Sequence, residues 1–123
     1  MRFSGVPLLG FVTYSTATNL YVSSYAGTVT SLQLTPTYKG AYSLRQVAVE
    51  NAPGTSPAWL EKDEFNDVVY SLDEGLSGPN GSISAFLPSA SGQLVEIGSP
   101  LSVISGPVSS ITYNGGKALA VAH

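Results

Sequence analysis

The chain has 123 residues, with 13 Gly, 8 Pro, no Cys, one His and a formal charge of −3. Without Cys it can form no disulfide framework, zinc–thiolate site or cysteine nucleophile. A single His, the last residue of the chain, excludes an internal His-based triad and a multi-His metal site. The negative charge offers no basic face to nucleic acid. An apolar content of 43% is enough for one folded domain.

The first 17 residues have the three-part layout of a secretory signal peptide. A positive start precedes the mostly apolar run 6–12, and Ser15 and Ala17 place small residues at the −3 and −1 positions of a cleavage site. The run is too short to span a bilayer, which needs about 20 residues. We therefore expect a secreted domain of residues 18–123. The alternative is an ordinary first strand at 10–14 in a cytoplasmic protein.

Short predicted strands separated by turn residues follow from Asn19 onward. Thr28 opens a segment that alternates polar and apolar residues, as a half-buried strand does. Asn114 and Gly115 supply the positive φ angles of a tight hairpin turn. The predicted strands are 20–22, 28–34, 43–49, 58–60, 68–72, 82–87, 93–97, 108–113 and 117–122. No window has an apolar period of 3.6 long enough for a helix, so we predict an all-β chain.

A repeat of about 50 residues organises these strands. The segment 56–60 and the following strand recur as 106–111 and its following strand, with Pro57 and Pro107 separated by 50 positions. Leu44 and Leu94 are also 50 positions apart. Four strands in about 50 residues are the signature of β-propeller blades. A β-sandwich would explain the density of strands but not their ordered recurrence.

The repeat predicts only part of a propeller. It predicts strands two to four of one blade, a complete second blade and two strands of a third. Propellers close with about 4–8 blades, so the chain represents about two blades of a larger ring. We expect either a piece of a longer protein or self-association through open blade edges, because unpaired edges recruit other chains.

Several stretches resemble the lactonase-type seven-bladed propellers, particularly secreted fungal proteins of the 6-phosphogluconolactonase and carboxy-muconate cyclase kind. These stretches are 19–32, 56–60, 69–74, 81–86 and 118–123. The resemblance implies hydrolysis or formation of a lactone ring on a small anionic sugar acid or dicarboxylate, without a cofactor and away from membranes. We expect this chain to be inactive by itself, because two blades form no closed channel and the chain has no basic cluster for an anionic substrate. The alternative is a non-enzymatic secreted propeller that binds a partner.

The predicted site lies on the face where loops enter the inner strand and leave the second strand of each blade. A lactonase needs a general acid or base and hydrogen-bond donors for its anionic substrate. The predicted catalytic residues, all at exits from second strands, are Asp73, Glu74 and His123. The predicted substrate contacts, at an exit and an entry, are Ser24, Tyr25 and Ser56.

The remaining polar residues are given structural or peripheral roles. The basic side chains Lys39, Arg45, Lys62 and Lys117 are scattered, so groups that hold an anionic substrate are expected from other blades. The charged segment 61–67 is predicted to be a solubilising hairpin. Asn80 begins a glycosylation sequon, which matters if the chain is secreted. The side chains predicted to be buried are Leu32, Leu34, Trp59, Val69, Ile83, Phe86, Leu94 and Ile111.

Overall fold

The computed structural model describes residues 16–123. Its strands are β1 (Thr18–Ser24), β2 (Thr28–Pro36), β3 (Tyr42–Asn51), β4 (Pro57–Asp63), β5 (Val68–Asp73), β6 (Asn80–Pro88), β7 (Leu94–Glu96), β8 (Leu101–Ile104), β9 (Ser109–Tyr113) and β10 (Ala118–Ala122). One short 3-10 turn, Tyr38–Gly40, joins β2 to β3. Within this part of the chain no helix has the length and apolar character to cross a bilayer. The predicted signal peptide falls mostly on residues 1–15, outside the described residues, and stays a prediction.

The strands form three antiparallel sheets that correspond to three blades. Blade 1 has the order β1-β2-β3, blade 2 the order β4-β5-β6-β7 with β8 also on β6, and blade 3 the pair β9 and β10. The prediction of an all-β chain with three strands of one blade, a whole second blade and two strands of a third is confirmed. Period-2 alternation and the 50-residue repeat were sufficient evidence for this architecture.

The outer strand of blade 2 is broken, where the sequence predicted one strand at 93–97. β7 pairs with the end of β6 at Phe86–Pro88, whereas β8 pairs with its beginning at Asn80–Ile83. Between them Gly98 has a φ of 71°, and Pro100 has no N–H to donate to a ladder. The outer strand of blade 1, β3, is not broken and runs for 10 residues, with one register shift against β2 opposite Ser31 and Leu32.

The hydrophobic core lies between blades 1 and 2. Its buried members, which come from both blades, are Val29, Ala52, Val69, Phe86 and Leu94. Tyr21 and Leu60 pack against this cluster and are partly buried. Val69 and Phe86 are direct cross-strand partners on β5 and β6, so one pair of side chains from blade 2 covers the face of blade 1.

Burial was predicted correctly for some of the eight side chains named in the sequence analysis. Val69, Phe86 and Leu94 are buried, and Leu32, Leu34 and Ile83 are half-buried. The prediction is wrong for Trp59 and Ile111, which are 39% and 63% exposed. Trp59 lies on β4, which ends its sheet, and its indole N–H donates to Glu61 at the surface. Ile111 lies in the two-stranded blade 3, where no further sheet of the described residues covers it.

Hydrogen bonds tie blade 2 to blade 3 at the hairpin between β4 and β5. The Asn66 side-chain N–H donates to Asp63 Oδ2 at 2.7 Å and to the Gly116 carbonyl at 3.1 Å. The Thr112 N–H donates to Glu61 Oε1 at 3.1 Å. The hydrogen bond from Asn66 lowers the pKa of Asp63, and backbone N–H groups add to this effect against the opposing effect of burial. The hairpin predicted to be only solubilising therefore also joins consecutive repeats.

Candidate functional site

The predicted site residues meet at one end of the blades. Ser24 ends β1 and Asp73 ends β5, and the next residues along the chain are Tyr25 and Glu74. His123 follows β10 directly. Because each of these strands is the second of its blade and runs in the same sense, their exits lie on one face. Backbone hydrogen bonds join the loops there: the Glu74 N–H donates to the Ser56 carbonyl at 3.0 Å.

Tyr25 and Glu74 form the central side-chain contact of this face. The Tyr25 hydroxyl donates to Glu74 Oε1, joining blade 1 to blade 2. The pKa of Tyr25 is raised, first because this hydrogen bond favours the neutral phenol and then because of burial and the charge of Glu74. The phenol therefore remains a proton donor at neutral pH. Glu74 is only half-buried, so its carboxylate reaches solvent beside that donor.

His123 joins the same cluster through Ser105. The Ser105 hydroxyl donates to the Glu74 carbonyl at 3.1 Å, and the Gly106 N–H donates to the same oxygen at 2.9 Å. His123 Nδ1 lies 3.4 Å from the Ser105 carbonyl. A carbonyl can only accept, so this contact requires the proton on Nδ1 and leaves Nε2 of the neutral ring as an acceptor.

Asp73 and Ser56 lie deeper than Glu74 and hold the loops in place. The two residues are 5% and 4% exposed. Asp73 Oδ2 accepts the Ser56 N–H at 2.6 Å, and Oδ1 accepts the Gly75 N–H at 2.9 Å. Both carboxylate oxygens are thus engaged by the backbone. The structure brings Asp73 to the predicted face, but it places the Glu74 carboxylate nearer to solvent.

Asn80 lies at the start of β6, a short distance from this cluster. It is exposed and pairs with Ile104 of β8. Its carbonyl packs closely against Gly75, where an added Cβ would meet the backbone of residues 80 and 81. A glycan on Asn80 stays a prediction.

Comparison with known proteins places the fold in a family. Residues 19–123 match the family described as Lactonase, 7-bladed beta-propeller. This chain belongs to that lactonase family. No curated protein and no solved structure matches it. The family match spans all ten strands except the first residue of β1, and it supports a lactonase-like function at the family level.

The cationic side chains of the described residues bond elsewhere than at this cluster. Lys62 is engaged at the other end of the blades, with Asp67 at 2.6 Å and Glu64 at 3.6 Å. Arg45 donates to Gln33 on the outer strands of blade 1. Within residues 16–123 no Lys or Arg bonds to the cluster, and no group of three His, Asp or Glu side chains is arranged to hold a metal ion.

Sequence reasoning missed the glycines that shape this site. Gly54 has a φ of 97°, and a Cβ added to it would lie 2.7 Å from Asp73 Oδ1 and closer still to Cγ and Oδ2. Gly75 has a φ of 72° and donates to the same carboxylate. The sequence did contain a signal for this geometry. Gly54 lies two residues before Ser56, and Gly75 lies two residues after Asp73. Glycine adopts the positive φ that such a close approach of two loops requires.

Proposed function

We propose that this chain provides part of the active-site face of a lactonase that acts on a small anionic lactone. The substrate class is a sugar acid or dicarboxylate lactone, of the 6-phosphogluconolactonase or carboxy-muconate cyclase kind. The observation that supports this proposal is the contiguous set Tyr25, Glu74, Ser105 and His123 at one end of the blades. Family membership supplies the reaction type.

The proposed chemistry assigns proton transfer to His123 and Glu74. A general base activates water for attack on the lactone carbonyl, and a general acid protonates the leaving ring oxygen. His123 Nε2 is an acceptor suited to the first role, and the proton that it takes from water can then pass to the leaving ring oxygen. The Glu74 carboxylate, which accepts the Tyr25 hydroxyl, lies at the same exposed face and can assist as a base. The Tyr25 O–H, which donates to Glu74 in the structure, supplies a donor for developing negative charge when it turns from Glu74 to the substrate. Asp73 orients Glu74 by fixing the loops at Ser56 and Gly75.

Ser24 and Ser56 have different places in this proposal. Ser24 is exposed, and its hydroxyl accepts the Ala26 N–H at 3.2 Å, which shapes the turn that carries Tyr25. Ser56 is buried, so its contribution to substrate binding is through loop position. Groups that neutralise the substrate's charge are proposed to come from other blades, and the chain by itself is expected to bind weakly and not to turn over.

The test separates binding from turnover. In NMR titrations of the chain with 6-phosphogluconate, chemical-shift changes are expected at Tyr25, Glu74 and His123 and not at the hairpin that carries Glu64. Glu74→Gln should remove these changes, whereas Glu64→Gln, an exposed acid at the opposite end, should keep them. Shift changes elsewhere, or none, would contradict the proposed site. Lactone hydrolysis by the chain, lost in Glu74→Gln, would contradict only its inactivity.

A non-enzymatic binding propeller is the second candidate. The observation that favours it is the cluster's lack of a bonded Lys or Arg within the described residues. If that candidate is correct, the titration will show no saturable change at Tyr25, Glu74 or His123.

A further inference from the structure

The turn between β9 and β10 carries an Asn-Gly pair that the candidate site does not use. Asn114 and Gly115 open a four-residue turn, since Tyr113 pairs with Ala118 across it. Both residues of the pair are exposed, and their φ angles are 52° and 66°. A Cβ added to Gly115 would meet no atom within 4 Å. The backbone of this pair can therefore rotate without displacing packed groups.

The equivalent turn of blade 2 shows that such exposure belongs to the fold. Asp63 pairs with Val68 in the same way, and the four residues between them, 64–67, are all exposed. They are exposed although blade 3 packs beside them, through the hydrogen bond from Asn66 to the Gly116 carbonyl. The presence of a following blade therefore leaves the tip of this turn in solvent.

The two turns differ in what holds their backbone N–H groups. In blade 2, Asp63 Oδ1 accepts the Phe65 N–H at 2.9 Å. In blade 3, the position of Asp63 is occupied by Tyr113, which has no carboxylate. Gly115 has the position of Phe65, and within residues 16–123 its N–H donates no hydrogen bond. The nitrogen that follows Asn114 is therefore not held in place by an acceptor.

A second Asn-Gly pair, Asn80 and Gly81, is restrained by a sheet. Both residues belong to β6 and pair with β8. Gly81 is buried, and a Cβ added to it would lie 2.6 Å from Pro107 Cδ and 2.7 Å from the Asp73 carbonyl oxygen. Rotation of this backbone would break strand pairing and displace closely packed groups. The chain thus offers an internal comparison between an open and a restrained Asn-Gly pair.

We propose that Asn114 is a site of spontaneous deamidation. The Gly115 nitrogen attacks Cγ of Asn114 and loses its proton to a solvent base, and the side-chain amide takes up a proton from water and leaves as ammonia. Water then opens the resulting succinimide at either of its carbonyl groups, which gives aspartate or isoaspartate. Glycine favours the ring closure, because it has no side chain to obstruct the attack and its backbone is unusually free to rotate. Water is the only co-reactant.

The modification acts on the contact between blades 2 and 3. The Gly116 carbonyl accepts the Asn66 side-chain N–H at 3.1 Å, and a Cβ added to Gly116 would lie 2.6 Å from Asp63 Oδ2. Deamidation adds a negative charge to the turn that contacts the buried Asp63 carboxylate, and like charges repel. Isoaspartate also lengthens the main chain by one methylene group two residues before Gly116. We therefore expect the deamidated chain to have a looser junction between these blades.

The experiment ages the full chain at mildly alkaline pH and follows both Asn residues by peptide mass spectrometry. The chain is produced in a host that does not glycosylate, so that Asn80 keeps its amide. Residue 114 is expected to convert at least about tenfold faster than residue 80, because reaction in a paired strand requires local opening. In urea, which unfolds both segments, the two residues should convert at similar rates. Isoaspartate at residue 114, detected by enzymatic methylation, identifies the succinimide route.

Matched variants complete the test. Asn114→Gln should remove most deamidation of the folded chain, because its longer amide would have to close a six-membered ring, whereas Asn80→Gln should leave the total unchanged. Amide hydrogen exchange at Thr112, whose N–H donates to Glu61 Oε1 at 3.1 Å, should be faster in the aged chain and unchanged in aged Asn114→Gln. The comparison of residues 114 and 80 in the unaltered chain does not depend on how either variant folds.

Three results would overturn the proposal. The first is conversion of residue 80 as fast as that of residue 114 in the folded chain. The second is the absence of isoaspartate at residue 114 after ageing. The third is deamidation at residue 114 without any change of hydrogen exchange at Thr112, which would remove the assigned effect on the junction between blades 2 and 3.

Discussion

Replacing Gly54 by Ala tests how the candidate site is held together. Gly54 has a φ of 97°, a conformation that costs an L-residue about 1–2 kcal/mol. The new Cβ would also lie 2.7 Å from Asp73 Oδ1 and closer to Cγ and Oδ2. The carboxylate must then move away from the Ser56 and Gly75 N–H groups, which donate to it at 2.6 and 2.9 Å.

The expected loss of stability follows from these two effects. A hydrogen bond to a charged group contributes about 1.5–3 kcal/mol. Loss of one such bond together with the backbone strain gives about 2.5–5 kcal/mol for Gly54→Ala. The matched control is Gly106→Ala, at which φ is 86° and no atom lies within 4 Å of an added Cβ. Gly106→Ala should lose only about 1–2 kcal/mol of stability, from backbone strain. Any effect of Ala on the unfolded chain is the same in both variants.

Urea unfolding followed by Trp59 fluorescence measures the difference, because Trp59 is the single Trp of the chain. The variants should differ by the lost hydrogen bond, about 1.5–3 kcal/mol. With slopes of about 1–3 kcal/mol per molar urea, the two midpoints should therefore differ by about 0.5–3 M. Equal destabilisation of the two variants would refute the role assigned to Asp73. A variant that changed the slope as well would indicate altered compactness, and its midpoint could not be compared.

Two further predictions concern the blade interfaces. The ionised form of Asp63 stabilises the fold above the ordinary aspartate pKa, and this stabilisation is lost as the pH falls through the lowered pKa of the folded state. Asn66→Ala removes the main cause of the lowered pKa, so in thermal melts the acid-induced loss should be smaller and end at a higher pH; an unchanged profile would contradict this. Phe86→Ala, in the core, should cost about 3–5 kcal/mol by chemical denaturation. The control Phe65→Ala, 72% exposed, should change stability by less than about 0.5 kcal/mol.

The repeat made the blades predictable from sequence, and the blade pattern made the face of the site predictable. Pro57 and Pro107 mark the same position of consecutive blades, so the exits at Tyr25, Glu74 and His123 had to share one end. The finer geometry depends on contacts between blades, which the local pattern does not encode. A large aromatic residue such as Trp59 is expected in the core. It is nevertheless 39% exposed, because β4 is the edge strand of its sheet.

The roles within the pair Asp73 and Glu74 show the same limit. Adjacent carboxylates at a strand exit look alike in sequence, and both were predicted to be catalytic. In the structure, neighbouring backbone N–H groups engage both oxygens of Asp73, while Glu74 meets the Tyr25 hydroxyl at the surface. Gly54 and Gly75 allow this arrangement. Their role could not be predicted from the sequence, because it depends on which loops lie next to each other in the folded chain.

The interruption at Gly98 and Pro100 makes the two outer edges unequal in their exposure to aggregation. β7 and β8 present short segments of 3 and 4 residues, and short edges are poor templates for pairing with another molecule. β3 instead is one strand of 10 residues, with a single register shift opposite Ser31 and Leu32, and Tyr42, Leu44 and Val49 are exposed along it. A charged residue at Leu44 should therefore improve solubility more than the same change on β8.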